Sequence, residues 1–509
     1  MNDYGLLPAG DFRITTGDAP DCGGLPQAMW YFRDETIAVP APCMPRAGFA
    51  PELTMVQDLA AWAGANPPGA GAAYPPLVWI GSPQTERDAI LDASGASLKT
   101  AHGELAWQLV PRLPLNRSWF DASSVAFCCG RPLKIRGIQI GGTFVARTLW
   151  PQDFRLPAAP EKITLPADPA ALRDWVRAQP QGGAESPFAV ASAWCRRPGA
   201  PEIRAGQPLI GFVLNGAQGD DDEAHGGHFA LMTGRVGKDG ALDDLLVNNF
   251  YTLDSESEKG IIAAPVPLDN YLGDLNSGQA WYRPSYMLLA TVREARVPEF
   301  LQSAFGRVYN HFYRHQFNYQ HARANCAGIS VTALRTLGWQ VPARGSESWV
   351  KAIFALPLTA LRKRSLKQGK AVFDYLTEDR TRLYPAAAFE EIAADLLCLA
   401  SGQCGRTTSD FERLLVEDVE QIVLVRVPQF PSSRAWGDWP VESSREYAAR
   451  VPSDPAQQQI IPVPPRPFPA ELRDPQMPGE PPLRSDYAVA AWALAIVALF
   501  VFILHRLLA

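Results

Sequence analysis

An α+β protein is predicted by three features of the 509-residue chain. Short apolar runs with period-two alternation recur through its first half, the pattern of half-buried strands. Runs with apolar residues three and four apart fill much of the second half, opened by capping residues or prolines. Residues 487–504 form an uncharged apolar run, long enough to cross a bilayer as a helix.

The composition, 47% hydrophobic and 20% charged, is that of a globular protein. A chain of this length exceeds one ordinary core, so several units are expected. The net charge of −6 argues against a nucleic-acid partner. Eight cysteines occur with no C-x-x-C pair, which excludes a zinc knuckle and a dithiol redox motif. They read as reduced thiols in a cytoplasm-like compartment. The first residues lack a basic segment followed by an apolar one, so no signal peptide is expected.

Residues 1–160 read as a β-rich N-terminal region. Its strands are expected at 29–32, 36–39, 77–80, 105–110, 124–128, Leu133–Ile140 and 143–149, with Gly141-Gly142 as a turn. Residues 161–427 read as a second domain with a helical extension. Asp168 caps a helix that Pro169 opens and that runs to Ala178. A buried-type strand follows at 208–214. The acidic run 220–223 is expected to be a solvated loop, since calcium loops need spaced ligands. His228 opens the next strand, residues 245–251 return beside it, and 281–292 adds another. Helices are expected at 298–316, after Asn325, and at 346–356, 357–363 and 385–399, before a last strand at 422–427. His311 and His315 have a metal-compatible spacing, but no third ligand or H-E-x-x-H accompanies them, so a packed or solvated face is expected and no metal. The basic stretch 361–370 reads as a solvated helix end or a contact for anionic head groups. Residues 428–486 are proline-rich and read as a disordered linker. The run 487–504 then reads as a transmembrane helix, a C-terminal anchor whose partner is the lipid bilayer, with the body in the cytoplasm.

Two stretches carry chemistry. Asn325 is a good N-cap, Ile329, Leu334 and Leu337 recur at helical spacing, and Gly338 stops the helix. Cys326 then lies in the first turn, among unpaired amides at the positive end of a helix dipole, which favours thiolate. Upstream, a turn at Asp239-Gly240 would set His228 opposite Tyr251 and Ala230 opposite Asn249. His228 and Asn249 become diagonal neighbours on one face, with Asn248 in that place if the strand is bulged. An amide beside an imidazole fixes its tautomer and orientation.

The order histidine, asparagine, cysteine resembles the circularly permuted branch of the papain-like superfamily, the NlpC-type and lecithin retinol acyltransferase-type proteins. His228-Phe-Ala-Leu-Met-Thr-Gly234 resembles that group's strand, and Asn325-Cys326 its helix start. The resemblance covers about residues 205–340. Ala327 stands where acyltransferase members carry an acidic residue. The resemblance implies an antiparallel sheet packed on helices, with Cys326 as nucleophile, His228 as base and Asn249 (or Asn248) orienting it, and no cofactor. It implies a membrane-tethered hydrolase or acyltransferase that acts on a peptide or acyl substrate (an amide, ester or thioester) through an acyl-cysteine. The alternatives are a catalytically inactive tail-anchored scaffold and an exported toxin-like peptidase or amidase.

Overall fold

Alternating runs become strands of three sheets in the computed structural model. It describes residues 50, 52–69, 82, 84–113, 119–179, 186–197, 203–252, 263–313 and 316–461, and the backbone of 4–8, 36–40 and 78–79. A three-stranded sheet joins β1 (Tyr4–Pro8), β2 (Thr36–Pro40) and β3 (Val78–Trp79) in that order. A six-stranded sheet is built from β4 (Gln84–Leu91), β5 (Leu98–Thr100), β6 (Gly103–Leu105), β7 (Trp107–Leu109), β8 (Leu133–Ile140) and β9 (Thr143–Pro151), in the order β6-β5-β4-β8-β9-β7. Gly141 and Gly142 turn β8 into β9 with φ of 55° and 86°, a conformation that glycine adopts without a Cβ clash.

The largest sheet has eight strands: β10 (Glu161–Lys162), β11 (Ala189–Cys195), β12 (Pro208–Asn215), β13 (His228–Arg235), β14 (Leu246–Asn249), β15 (Ala264–Pro267), β16 (Ser285–Val292) and β17 (Val419–Val427). Their order is β10-β11-β17-β16-β12-β13-β14-β15, antiparallel except for β10 against β11. β12 and β16 are buried along their whole length, as central strands with both faces covered must be.

Among the described residues, twelve α-helices complete the fold. The first five are α1 (Met55–Ala65), α2 (Ala122–Cys128), α3 (Pro169–Ala178), α4 (Leu268–Gly273) and α5 (Arg296–Tyr313). Then come α6 (Cys326–Thr336), α7 (Trp349–Lys363), α8 (Leu366–Thr377), α9 (Arg380–Leu383), α10 (Pro385–Ser401), α11 (Asp410–Asp418) and α12 (Ser444–Arg450). Helices α5, α6 and α10 pack on β12 and β13. Their apolar faces merge with the strands into one core that includes Phe212, Phe229, Phe305, Val331, Trp339 and Phe389.

The six-stranded sheet is fastened to the large one by charge. Lys134 and Arg136 of β8 are both buried and reach Asp269 of α4, at 2.9 Å and 2.7 Å. Asp243 and Asp244 flank the pair, and Arg87 of β4 reaches both of them. The pairing offsets a large desolvation cost, since breaking a buried pair by removing one partner costs ~3–5 kcal/mol.

Several expectations are corrected. Residues 124–128 are helical, because Asp121 accepts from the N–H groups of Ser123 and Ser124 while Ser124 Oγ accepts from the Asp121 N–H. That capping box overrides the β-favouring run that follows. Pro357 does not divide two helices; α7 runs through it. Gly369 of α8 lies against the same turn, where a Cβ would stand 2.6 Å from the Leu356 oxygen, so close helix packing holds the proline in line. Residues 428–461 are folded rather than a linker: Phe430 is buried against Trp281 and Phe127, and α12 lies within the stretch. Cys398 and Cys404 are joined in a disulfide, so the thiols are not uniformly reduced. The predicted transmembrane helix is not supported: no helix among the described residues is long and apolar enough to cross a membrane, and residues 487–504 lie outside them. The expected strand at 29–32 and the second half of the linker also lie outside the described residues.

Candidate functional site: one end of the large sheet

β13 begins at His228, as the sequence predicts. The preceding Gly227 has φ of 74°, and a Cβ there would stand 2.4 Å from the Asn215 oxygen. Only glycine lets the entering chain press so close to β12 and deliver His228 to this position. β13 pairs with β14 as Leu231↔Asn248, Met232↔Val247 and Thr233↔Leu246, the predicted register. The connection is wider than a two-residue turn, with Lys238–Gly240 as a short 3₁₀ segment inside it. The register survives the longer loop because it sets the buried face of β14.

Asn249 Oδ1 lies 2.7 Å from His228 Nε2, and both side chains are buried. With the oxygen facing Nε2, the ring proton sits there and Nδ1 is the basic nitrogen. Asn248 faces the other side of the sheet, donating to Gln302 Oε1 at 3.1 Å and accepting from Gln302 Nε2 at 3.0 Å. The bulged alternative is therefore not the one adopted.

Cys326 is the first residue of α6, and Asn325 caps the helix by accepting from the Gly328 N–H at 2.8 Å. The Asn325 amide also donates to the carbonyls of His321 and Leu383. Those three bonds fix where the cysteine enters. The N–H of Phe229 (the residue after His228), the N–H of Ala327 and the Tyr319 hydroxyl lie near enough to its sulfur to favour the anion. The N–H of Cys326 lies near the Tyr319 oxygen in turn, while burial pushes that hydroxyl well up. The imidazole and the Asn249 amide thus meet at one end of β13, and Cys326 lies by Phe229, the next residue of that strand. Tyr319 was missed by the sequence reading; its only signal was an aromatic residue seven positions before the cysteine.

The resting charges differ from expectation. Burial pushes the Cys326 thiol up, outweighing the N–H donors of Phe229 and Ala327 and the Tyr319 hydroxyl. Burial, with the nearby Arg283 guanidinium, pushes His228 down to about 3. The closed site therefore holds a thiol and a neutral imidazole, and the helix dipole does not by itself yield a thiolate. Cys326 is 3% exposed and His228 6%. The field of a helix end is worth about 0.3–1 kcal/mol, less than the cost of placing an anion in so dry a setting.

The second histidine motif is structural. His311 donates or accepts at Asp58 Oδ2 (2.7 Å) and at Gln316 Oε1, while Arg307 clamps the same Asp58. His311 thus ties α5 to α1, and His315 lies outside the described residues. Among the described residues, no group of three or more His, Cys, Asp or Glu could hold a metal ion. Comparisons with family models, with curated proteins and with solved structures find nothing that matches this chain.

Proposed function

We propose that the protein is a cysteine hydrolase or acyltransferase of papain-like type, acting on an amide, ester or thioester through an acyl-Cys326 intermediate. The observation that carries this reading is a helix-start cysteine set by the backbone N–H of the residue after a histidine whose Nε2 faces an asparagine. His228 Nδ1 takes the thiol proton as sulfur attacks the carbonyl carbon, then returns it to the leaving nitrogen, oxygen or sulfur. Starting from a neutral pair, the proton moves during attack rather than before it. The Cys326 N–H and the Tyr319 hydroxyl supply two donors for the carbonyl oxygen as it becomes negative. Water then releases the acyl group in a hydrolase, or a second nucleophile takes it in a transferase.

The burial of Cys326 and His228 favours one competing reading, a scaffold that keeps the arrangement without turnover. A panel of activated esters and thioesters, followed by intact-mass and peptide-mass analysis, decides between them. The enzyme reading expects an acyl adduct on Cys326 that His228→Ala abolishes. Absence of any adduct, with the protein folded, supports the scaffold.

A further inference from the structure

Arg283 is a buried cation next to this site with no carboxylate partner among the described residues. It is 5% exposed and sits two residues before Ser285, the first residue of β16. Its Nε donates to Gln279 Oε1 at 2.9 Å, Nη2 donates to the same oxygen, and Nη1 donates to the Gly216 carbonyl at 3.2 Å. Each acceptor is neutral. The strongest fields that reach it from described groups are those of Tyr271, Cys326, Arg434 and Tyr251, none of them a carboxylate. Lys134 and Arg136 by contrast meet Asp269, and Arg434 meets Asp220, while the buried Arg426 is bonded to Ser186.

The placement puts Arg283 at the His228 end of the sheet. Gly216 follows Asn215, which pairs with His228 on one side and Ser285 on the other. Tyr271 donates to Asn215 Oδ1, and its ring lies 6.4 Å from that of His228. A guanidinium held dry with only amide oxygens around it pays desolvation without ionic return, which folds retain where a ligand supplies the anion.

We infer that Arg283 is an anion-binding subsite beside Cys326, so that the preferred substrates carry a carboxylate or a comparable anionic oxygen group close to the carbonyl under attack. This deepens the proposed function and rests on Cys326 being a nucleophile. A planar fork with neutral partners on one side can still give bidentate bonds to such a group.

Two alkylating reagents of nearly equal size test it: iodoacetate, which carries a carboxylate, and iodoacetamide, which does not. Rates of Cys326 modification are measured by peptide mass analysis on the full chain, with glutathione as the reference thiol. The expected iodoacetate-to-iodoacetamide ratio exceeds that of glutathione by about tenfold. Arg283→Gln should return the ratio to the glutathione value, and Arg283→Lys should keep part of the preference. A general loss of thiolate moves both rates and leaves the ratio unchanged, and circular dichroism of Arg283→Gln excludes unfolding as the cause of a lost preference. A wild-type ratio equal to that of glutathione, or one unaffected by Arg283→Gln, overturns the inference. Failure of both reagents to modify Cys326 in folded protein instead overturns the nucleophile itself.

Discussion

His228 and Asn249 share a 2.7 Å contact although their strands are not paired at that point: the last ladder pair is Leu231↔Asn248. The ring therefore rests on a side chain reaching diagonally past the end of the ladder. Adjacent residues of one strand have divergent duties, because period-two alternation sends Asn249 to the imidazole and Asn248 to Gln302.

The two asparagines should consequently fail in different ways. Asn249→Ala frees the imidazole to turn and should lower acylation of Cys326 by about tenfold to a hundredfold, with little change in melting temperature. Asn248→Ala removes an acceptor from the buried Gln302 amide and should cost about 1–3 kcal/mol of stability, read from the denaturant midpoint. Equal acylation rates in the two variants would contradict the assignment.

Tyr319 offers a sharper kinetic signature. Tyr319→Phe deletes one donor to the developing oxyanion and should lower kcat by about a hundredfold, while the KM for the same ester changes little. The variant also removes a hydrogen bond that holds the thiol down, so Cys326 should titrate higher still. A spectroscopic thiolate titration measures that second effect independently of turnover.

Acid should destabilise the fold through His228. Its folded value near 3 lies below the ordinary 6.5, so the unfolded chain binds the proton first. Stability is full above about pH 6.5 and falls as pH drops toward 3, by up to ~1.4 kcal/mol per pH unit. His228→Gln should flatten that part of the stability curve in chemical denaturation. An unchanged acid limb would mean that other groups carry it.

Alkali should loosen the C-terminal segment through Glu390. Burial, with the neighbouring Glu442 carboxylate, raises Glu390 to about 8 despite its bond to Arg344. Arg173 and Arg344 hold Glu442 on the same cluster. A raised carboxyl stabilises fully below its unfolded value near 4.5, and that contribution is lost as pH rises through 8. Hydrogen exchange in residues 428–461 should accelerate between about pH 5 and 8 beyond its intrinsic rate. Glu390→Gln, which stays neutral, should remove the excess.

Much of this arrangement was legible locally. The cap Asn325, the strand start at His228, the register of β13 on β14 and the runs that became β8, β9, β12, α3 and α10 all follow from side-chain chemistry within a few residues of each other. Short-range rules decided them because the competing forces there are also short-range. Where a capping box or a close helix contact opposed the pattern, as at Asp121 and Pro357, the reading went astray.

Local chemistry set the repertoire: an α+β chain, a cysteine at a helix start, a histidine opening a strand and an asparagine one alternation off the opposite position on its partner. Tertiary structure alone decided their state and company. It brought Phe229 and Tyr319 to the sulfur, placed Arg283 beside it without a carboxylate, and folded residues 428–461 onto the body. It also inverted the expected charges, because desolvation depends on everything that surrounds a group, whereas a helix dipole depends only on the turn it occupies.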